Sequence, residues 1–191
     1  AESVVHLPLQ DLEATTIALG ASWDRAPDVV MVSSSNYGQA VLAASFAGRI
    51  RAPLFFFENE LSDAMRAELD RLETSRVFVI GGRENLAFED ITQLEGPDAA
   101  ITWLLSNGYD LDYLAVVNPN DRDMGRSQKL SLTAPSYTIR RDGLVLPIDT
   151  PIPADVAQGT HLAEALAYLN ERYETLGGHP EHLALVGSFD V

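Results

Sequence analysis

Short, uniformly apolar runs separated by longer amphipathic stretches set the pattern of this chain. Val29-Val30-Met31-Val32, Pro53-Leu54-Phe55-Phe56-Phe57 and Val77-Phe78-Val79-Ile80 all lack the polar alternation of a half-exposed strand. Runs of this kind predict strands covered on both faces, as in parallel sheets. Between the first two, Asn36 precedes the alanine-rich segment Gln39 to Ile50. Between the last two, Ser62 opens a helix with Met65, Leu69 and Leu72 on one face. Helical spacers of about a dozen residues make such strands parallel and their crossovers right-handed. Residues 29–82 therefore predict strand, helix, strand, helix, strand, closing on Gly81-Gly82.

The flanks extend the pattern and then repeat it. Val4-Val5-His6-Leu7 predicts a short strand, and Asp11 caps a helix through Leu19 with Gly20 in the left-handed position after it. Ile91-Thr92-Gln93-Leu94 reproduces Val4 to Leu7, Asp98 stands 87 residues after Asp11, and Asn107-Gly108 ends a helix as Gly20 does. Leu114-Ala115-Val116-Val117 follows Val29 to Val32 by 85, and Leu132 to Pro135 follows Leu42 to Ser45 by 90. Gly143 to Leu146 takes the place of Pro53 to Phe56, and Leu183 to Gly187 that of Val77 to Gly81. The fold class predicted is α/β: two tandem βαβαβ units, doubly wound and flavodoxin- or Toprim-like, with mostly parallel sheets covered by helices. The first unit is residues 1–90. The second, residues 91–191, is enlarged mainly by the proline-bearing stretch Pro147 to Gly159. Its last helix carries a stripe of Leu162, Leu166, Leu169, Tyr173 and Leu176, is capped by Thr160 and is stopped by Gly177-Gly178 and Pro180. A chain stopping at Val191, just past an apolar strand, reads as a piece of a longer protein.

Composition narrows the functional classes. Net charge is −15, with 13 Lys and Arg against 28 Asp and Glu in 191 residues. The excess is even: residues 1–90 hold 14 acidic and 7 basic side chains, residues 91–191 hold 14 and 6. Without a basic cluster there is no footprint for nucleic acid. No apolar run approaches the roughly 20 residues of a membrane-spanning helix. Lys129 is the only lysine, a feature of overall composition. The absence of cysteine removes thiol catalysis, thiolate metal sites and disulfides together.

Candidate sites fall at the carboxyl ends of the strands, where open parallel sheets collect ligands. Ser34 and Asn36 follow the first strand, Gly81, Gly82 and Arg83 the third, and Asn118 the first strand of the second half. Gly81-Gly82-Arg83 offers backbone amides and a guanidinium to an anion but lacks a P-loop or dinucleotide fingerprint. Asn120, Asp121 and Asp123 are hard oxygen donors suited to Ca²⁺, without EF-hand spacing. Calcium is the one cofactor this pattern admits. Glu58 and Glu60 flank Asn59 and could work as a carboxylate pair. Ser33 to Ser35 has no nucleophile-elbow flank, and His6, His161, His179 and His182 show no metal-ligand spacing. No catalytic set emerges.

The stretch Asp28 to Ser34, the alanine-rich Val41 to Ala47, Ala52-Pro53-Leu54-Phe55-Phe56, Leu61-Ser62, and Val77 to Gly82 together resemble the type 2 cell-wall-binding repeat family. Leu12 to Ala18 is similar to that family's lead-in helix, Leu94 to Asp98 to its repeat start, and Ala134-Pro135 to its usual Ala-Pro. The resemblance covers about 80 residues well and the second half loosely. It implies an extracellular, cell-surface module of a larger secreted protein, without catalysis, as in S-layer and wall-anchored proteins. The implied partners are a cell-wall polymer, a surface glycan or neighbouring domains. Two copies and strong acidity depart from the family's pattern, since like charges repel across a desolvated interface. A bridging cation would relieve that repulsion. The ending His182 to Val191 is similar to the close of the non-catalytic subdomain of gingipain-type cysteine peptidases. That resemblance implies an alternative role as the accessory N-terminal subdomain of a peptidase-like enzyme. A small-ligand binding domain is the third expectation.

Overall fold

The computed structural model describes residues 11–58, 60–82, 86–119, 130–148, 160–172, 176 and 180–186. The expected strand Val4 to Leu7, the Gly177-Gly178 stop and the Tyr173 and Leu162 side chains lie outside these residues. The first half runs α1 (Leu12–Gly20), β1 (Asp28–Ser33), α2 (Tyr37–Ile50), β2 (Leu54–Phe57), α3 (Asp63–Arg71), β3 (Arg76–Ile80). The chain continues as β4 (Ile91–Leu94), α4 (Pro97–Ser106), β5 (Tyr113–Val117), a 3₁₀ turn (Leu130–Thr133), α5 (Ala134–Ile139), β6 (Gly143–Pro147), α6 (Thr160–Glu171) and β7 (His182–Val186). Two all-parallel sheets result, ordered β2-β1-β3-β4 and β6-β5-β7, with helices on their faces as the α/β reading expects. Ile91–Leu94 hydrogen-bonds to β3, so a division of the chain at residue 90 passes through the first sheet.

The two sheets share more than strand order. Val30 stands opposite Leu54 and Phe78 in the first, and Ala115 opposite Val145 and Ala184 in the second. Leu54 and Val145 therefore correspond, a spacing one residue longer than the 90 expected from the sequence. Backbone geometry gives the reason. Arg51 closes α2 in the left-handed region at φ 56°, and Asp142 plays the same part after α5 at φ 51°. Those two caps set the entry of β2 and β6.

Some local expectations change. Asp11 does cap α1, accepting from Ala14 N at 3.0 Å, and Asn36 and Ser62 cap α2 and α3 in the same way. Asp98 does not cap α4: Gly96 occupies that position with Pro97 at the first turn, and Asp98 instead pairs with Arg172 at 2.8 Å. Gly20 is the last residue of α1 rather than a left-handed stop. It is small for a different reason, because a Cβ there would lie 2.6 Å from Glu68 Oε1 and 3.0 Å from Phe55. On α6 the inward face is Ala165, Tyr168 and Leu169, with Leu176 buried beyond the helix end, while Leu166 is exposed. The apolar stripe is rotated by one position because the Tyr168 hydroxyl reaches inward to Pro147 O at 2.8 Å.

The core is organised around α2. One flank, with Leu42, Ala43 and Phe46, packs on Val30, Val32, Phe78 and Ile80 of the first sheet. Val41, on the other flank, packs on Tyr113, Ala115, Val117 and Val145 of the second sheet. The far face of the first sheet is closed by Met65, Leu69 and Leu72 against Val29, Met31, Val77 and Val79. Phe46, Phe78 and Trp103 meet edge-on at 4.8–5.5 Å between ring centroids, tying α2, β3 and α4 together. Arg76 lies 4.7 Å over the Phe78 ring and forks onto both carboxylate oxygens of Asp28 at 2.9 Å.

Candidate functional site: the carboxyl ends of the strands

The first helical turn of α2 brings several of the expected residues together. Asn36 accepts from Gln39 N at 3.1 Å, so its side chain is engaged in capping. Gly81 has φ +91°, and a Cβ on it would lie 3.1 Å from the Gln39 side chain. Gly38 sits against Pro119 and Pro147, at the carboxyl ends of β5 and β6, so this one turn touches the ends of both sheets. Asn118, directly before Pro119, is buried. Gln39 Oε1 is buried without a hydrogen-bond partner among the described residues. Gly82 is exposed with open space around it, whereas Arg83, Asn120, Asp121 and Asp123 lie outside the described residues.

Ser34 belongs to a different feature. Its backbone N donates to Phe57 O at 2.8 Å, and the residue lines an open cleft of about 700 Å³ beyond the ends of β1 and β2. Phe56 and Phe57 give that cleft an apolar floor, and Glu58 and Glu60 rise from the loop after β2. The opposite wall is the start of α1, with Asp11, Leu12 and Glu13, and Ser62 at the start of α3 completes it. Four carboxylates thus face one cleft, and among the described residues no basic side chain lines it. Among the described residues no group of three or more Asp, Glu, His or Cys is gathered closely enough to hold a metal ion.

The cleft's walls are held by specific contacts. Ser62 Oγ donates to Glu13 Oε1 and accepts from Met65 N at 3.1 Å, which joins the starts of α1 and α3. Thr16 Oγ1 accepts from Phe56 N at 3.2 Å, so α1 also seals the outer edge of β2. At the other end of α1, Arg71 forks onto Glu68 at 2.7 and 2.8 Å and donates to the carbonyls of Gly20 and Trp23 at 3.0 and 3.1 Å. The hydrogen bond to Glu68 holds the Arg71 guanidinium above its usual pKa.

Asp11, Glu13 and Ser62 were not among the residues expected from sequence. Each carries an ordinary local signal, cap or first-turn acid, and their convergence depends on α1 lying along the outer edge of β2.

No protein-family model matches the chain, and no curated protein sequence matches it. Among solved structures, the chain is similar to Cwp6 from Clostridium difficile, with a TM-score of 0.58 and 18% identity. The match covers 80% of this chain and 26% of that one, so this chain spans about a quarter of the length of its structural neighbour. At that identity the likeness shows a shared fold.

Proposed function

We propose that this chain is a non-catalytic module of a cell-surface protein, one that attaches or assembles a larger polypeptide on the cell envelope. The observation that carries the reading is the fold shared with Cwp6, a cell wall protein, over most of the chain. The resemblance of residues 28–82 to wall-binding repeats points the same way from the sequence side. None of the described helices is long and apolar enough to cross a membrane, which is compatible with attachment by binding.

The cleft supports a restricted ligand chemistry. With Asp11, Glu13, Glu58 and Glu60 around an aromatic floor, it favours neutral sugar rings stacked on Phe56 or cationic groups over bare anions. An anionic wall polymer would need calcium between itself and the carboxylates. The test is co-sedimentation of the purified chain with the envelope fraction of its source organism, with and without calcium. Binding reduced by Glu58→Gln with Glu60→Gln supports the reading. Failure to sediment under both conditions overturns it.

A further inference from the structure

Of the nine described arginines, six have a carboxylate or carbonyl partner. The other three, Arg51, Arg140 and Arg141, are exposed and have neither among the described residues. Arg141 only lies over the Tyr113 ring, 5.2 Å from its centroid. In a chain with 28 acidic and 13 basic side chains, a guanidinium without a carboxylate is the exception.

All three fall in one place. α2 and α5 meet where Gly48 lies against Ile139. Arg51 closes α2 one turn beyond Gly48, its N–H donating to Gly48 O at 3.3 Å. Arg140 and Arg141 follow Ile139 directly, and Arg141 N donates to Thr138 O at 3.0 Å. The cluster joins residues 51 and 140–141 at the amino-end face of the sheets, opposite the acidic cleft. Asp142, the carboxylate next to Arg141, is already occupied by Arg49 at 2.7 Å.

Local structure does not account for this grouping. A cation near a helix C-terminus complements the dipole, but Arg49 already stands in the last turn of α2. α5 is only six residues long and has little dipole to complement. Arg51 also occupies a left-handed cap, at φ 56°, where glycine is the usual residue and a side chain costs conformational energy.

We propose that Arg51, Arg140 and Arg141 form a binding site for a tetrahedral oxyanion, a phosphate or sulfate group, free or carried as an ester on a surface polymer. Guanidinium forks pair with such oxygens bidentately, and three forks suit the three or four oxygens of this group better than the two of a carboxylate. Asp110, whose carbonyl accepts from Arg49, and Asp112, just before Tyr113, border the cluster. They keep its attraction short-ranged, which suits a single anionic group and not a nucleic-acid strand with its many phosphate contacts. The site lies on a different face from the cleft and does not depend on the function proposed for it.

The experiment follows amide resonances of the full chain by NMR while sodium phosphate or sodium sulfate is added at constant ionic strength. Shifts centred on residues 48–51 and 139–143 are expected. Arg51→Gly suits the left-handed backbone, so it removes one guanidinium while the fold keeps its stability. Combined with Arg140→Gln and Arg141→Gln it weakens binding by at least about tenfold, whereas Glu58→Gln with Glu60→Gln leaves binding unchanged. Dextran sulfate, compared with uncharged dextran, identifies the source. Tighter binding per sulfate group than free sulfate shows assigns a polymer-borne ester, and equal or weaker binding assigns a free anion. No shifts with either anion, or shifts that persist in the triple variant, overturn the proposal. So does acetate that binds as tightly as sulfate, since the site then takes carboxylates.

Discussion

The hydroxyl of Ser45, in the middle of α2, accepts a buried hydrogen bond of 3.0 Å from the backbone N–H of Val145, one hundred residues further along the chain. The same hydroxyl donates to Leu42 O within the helix at 2.9 Å. Val145 is in the edge strand β6 and fully buried, and among the described residues its outward-facing amide meets no neighbouring strand. Ser45→Ala keeps the volume nearly unchanged but strands a buried donor. The expected loss is about 1–3 kcal/mol, read as a lower urea midpoint at unchanged slope.

Gly48 marks the closest approach of α2 to α5. A Cβ there would lie 2.3 Å from Ile139 Cδ1. Gly48→Ala should destabilise by about 1–3 kcal/mol through overpacking, despite the helix preference for alanine. Combining it with Ile139→Ala should recover most of that loss. A double-mutant cycle that proves additive would show that the two residues do not touch.

Arg76 braces the aromatic cluster from above. Asp28, through its hydrogen bonds, holds the guanidinium above its usual pKa. A raised folded pKa contributes stability that is complete below the unfolded arginine value and is lost only as pH climbs through the higher folded one. The effect of Arg76→Gln, roughly 0.5–1 kcal/mol for a pair this exposed, should therefore stay constant from about pH 6 to 10. Melting temperatures of both proteins across that window would reveal any slope in their difference.

Ser62 joins two tasks, capping α3 through Met65 N and donating to Glu13. Ser62→Ala removes both, at a cost of about 0.5–2 kcal/mol. It also frees the Glu13 carboxylate at the mouth of the cleft. Ser62→Thr keeps the oxygen and should restore the stability, which a thermal melt of the pair would check.

Much of the fold was legible because parallel strands buried on both faces announce themselves. Val29 to Val32, Phe55 to Phe57, Val77 to Ile80 and Leu114 to Val117 all lie in strands where their apolar runs place them. The caps Asp11, Asn36 and Ser62 were legible too, since a cap is a contact within three residues. The rotation of α6 was less so: Leu166 and Ala165 differ in apolarity in the wrong direction, and the Tyr168 hydroxyl decided which faced inward. In the candidate site, Ser34, Asn36, Gly81 and Asn118 are at strand ends as expected. Yet Asn36 is occupied as a cap, and Ser34 opens onto a cleft whose far wall, Asp11 and Glu13, precedes it by two dozen residues.

The sequence by itself determined the α/β class, most of the described strands and their parallel pairing, because helix period, strand burial and capping are properties of a few neighbouring residues. Tertiary structure alone decided that Ile91 to Leu94 completes the first sheet, that α2 serves both sheets, and that four carboxylates share one cleft. Each of these depends on which surfaces meet across distances of tens of residues. An apolar strand fits the edge of either unit equally well as a pattern. Only the packing of the whole chain shows that the β3 edge is taken and leaves β7 without a partner among the described residues.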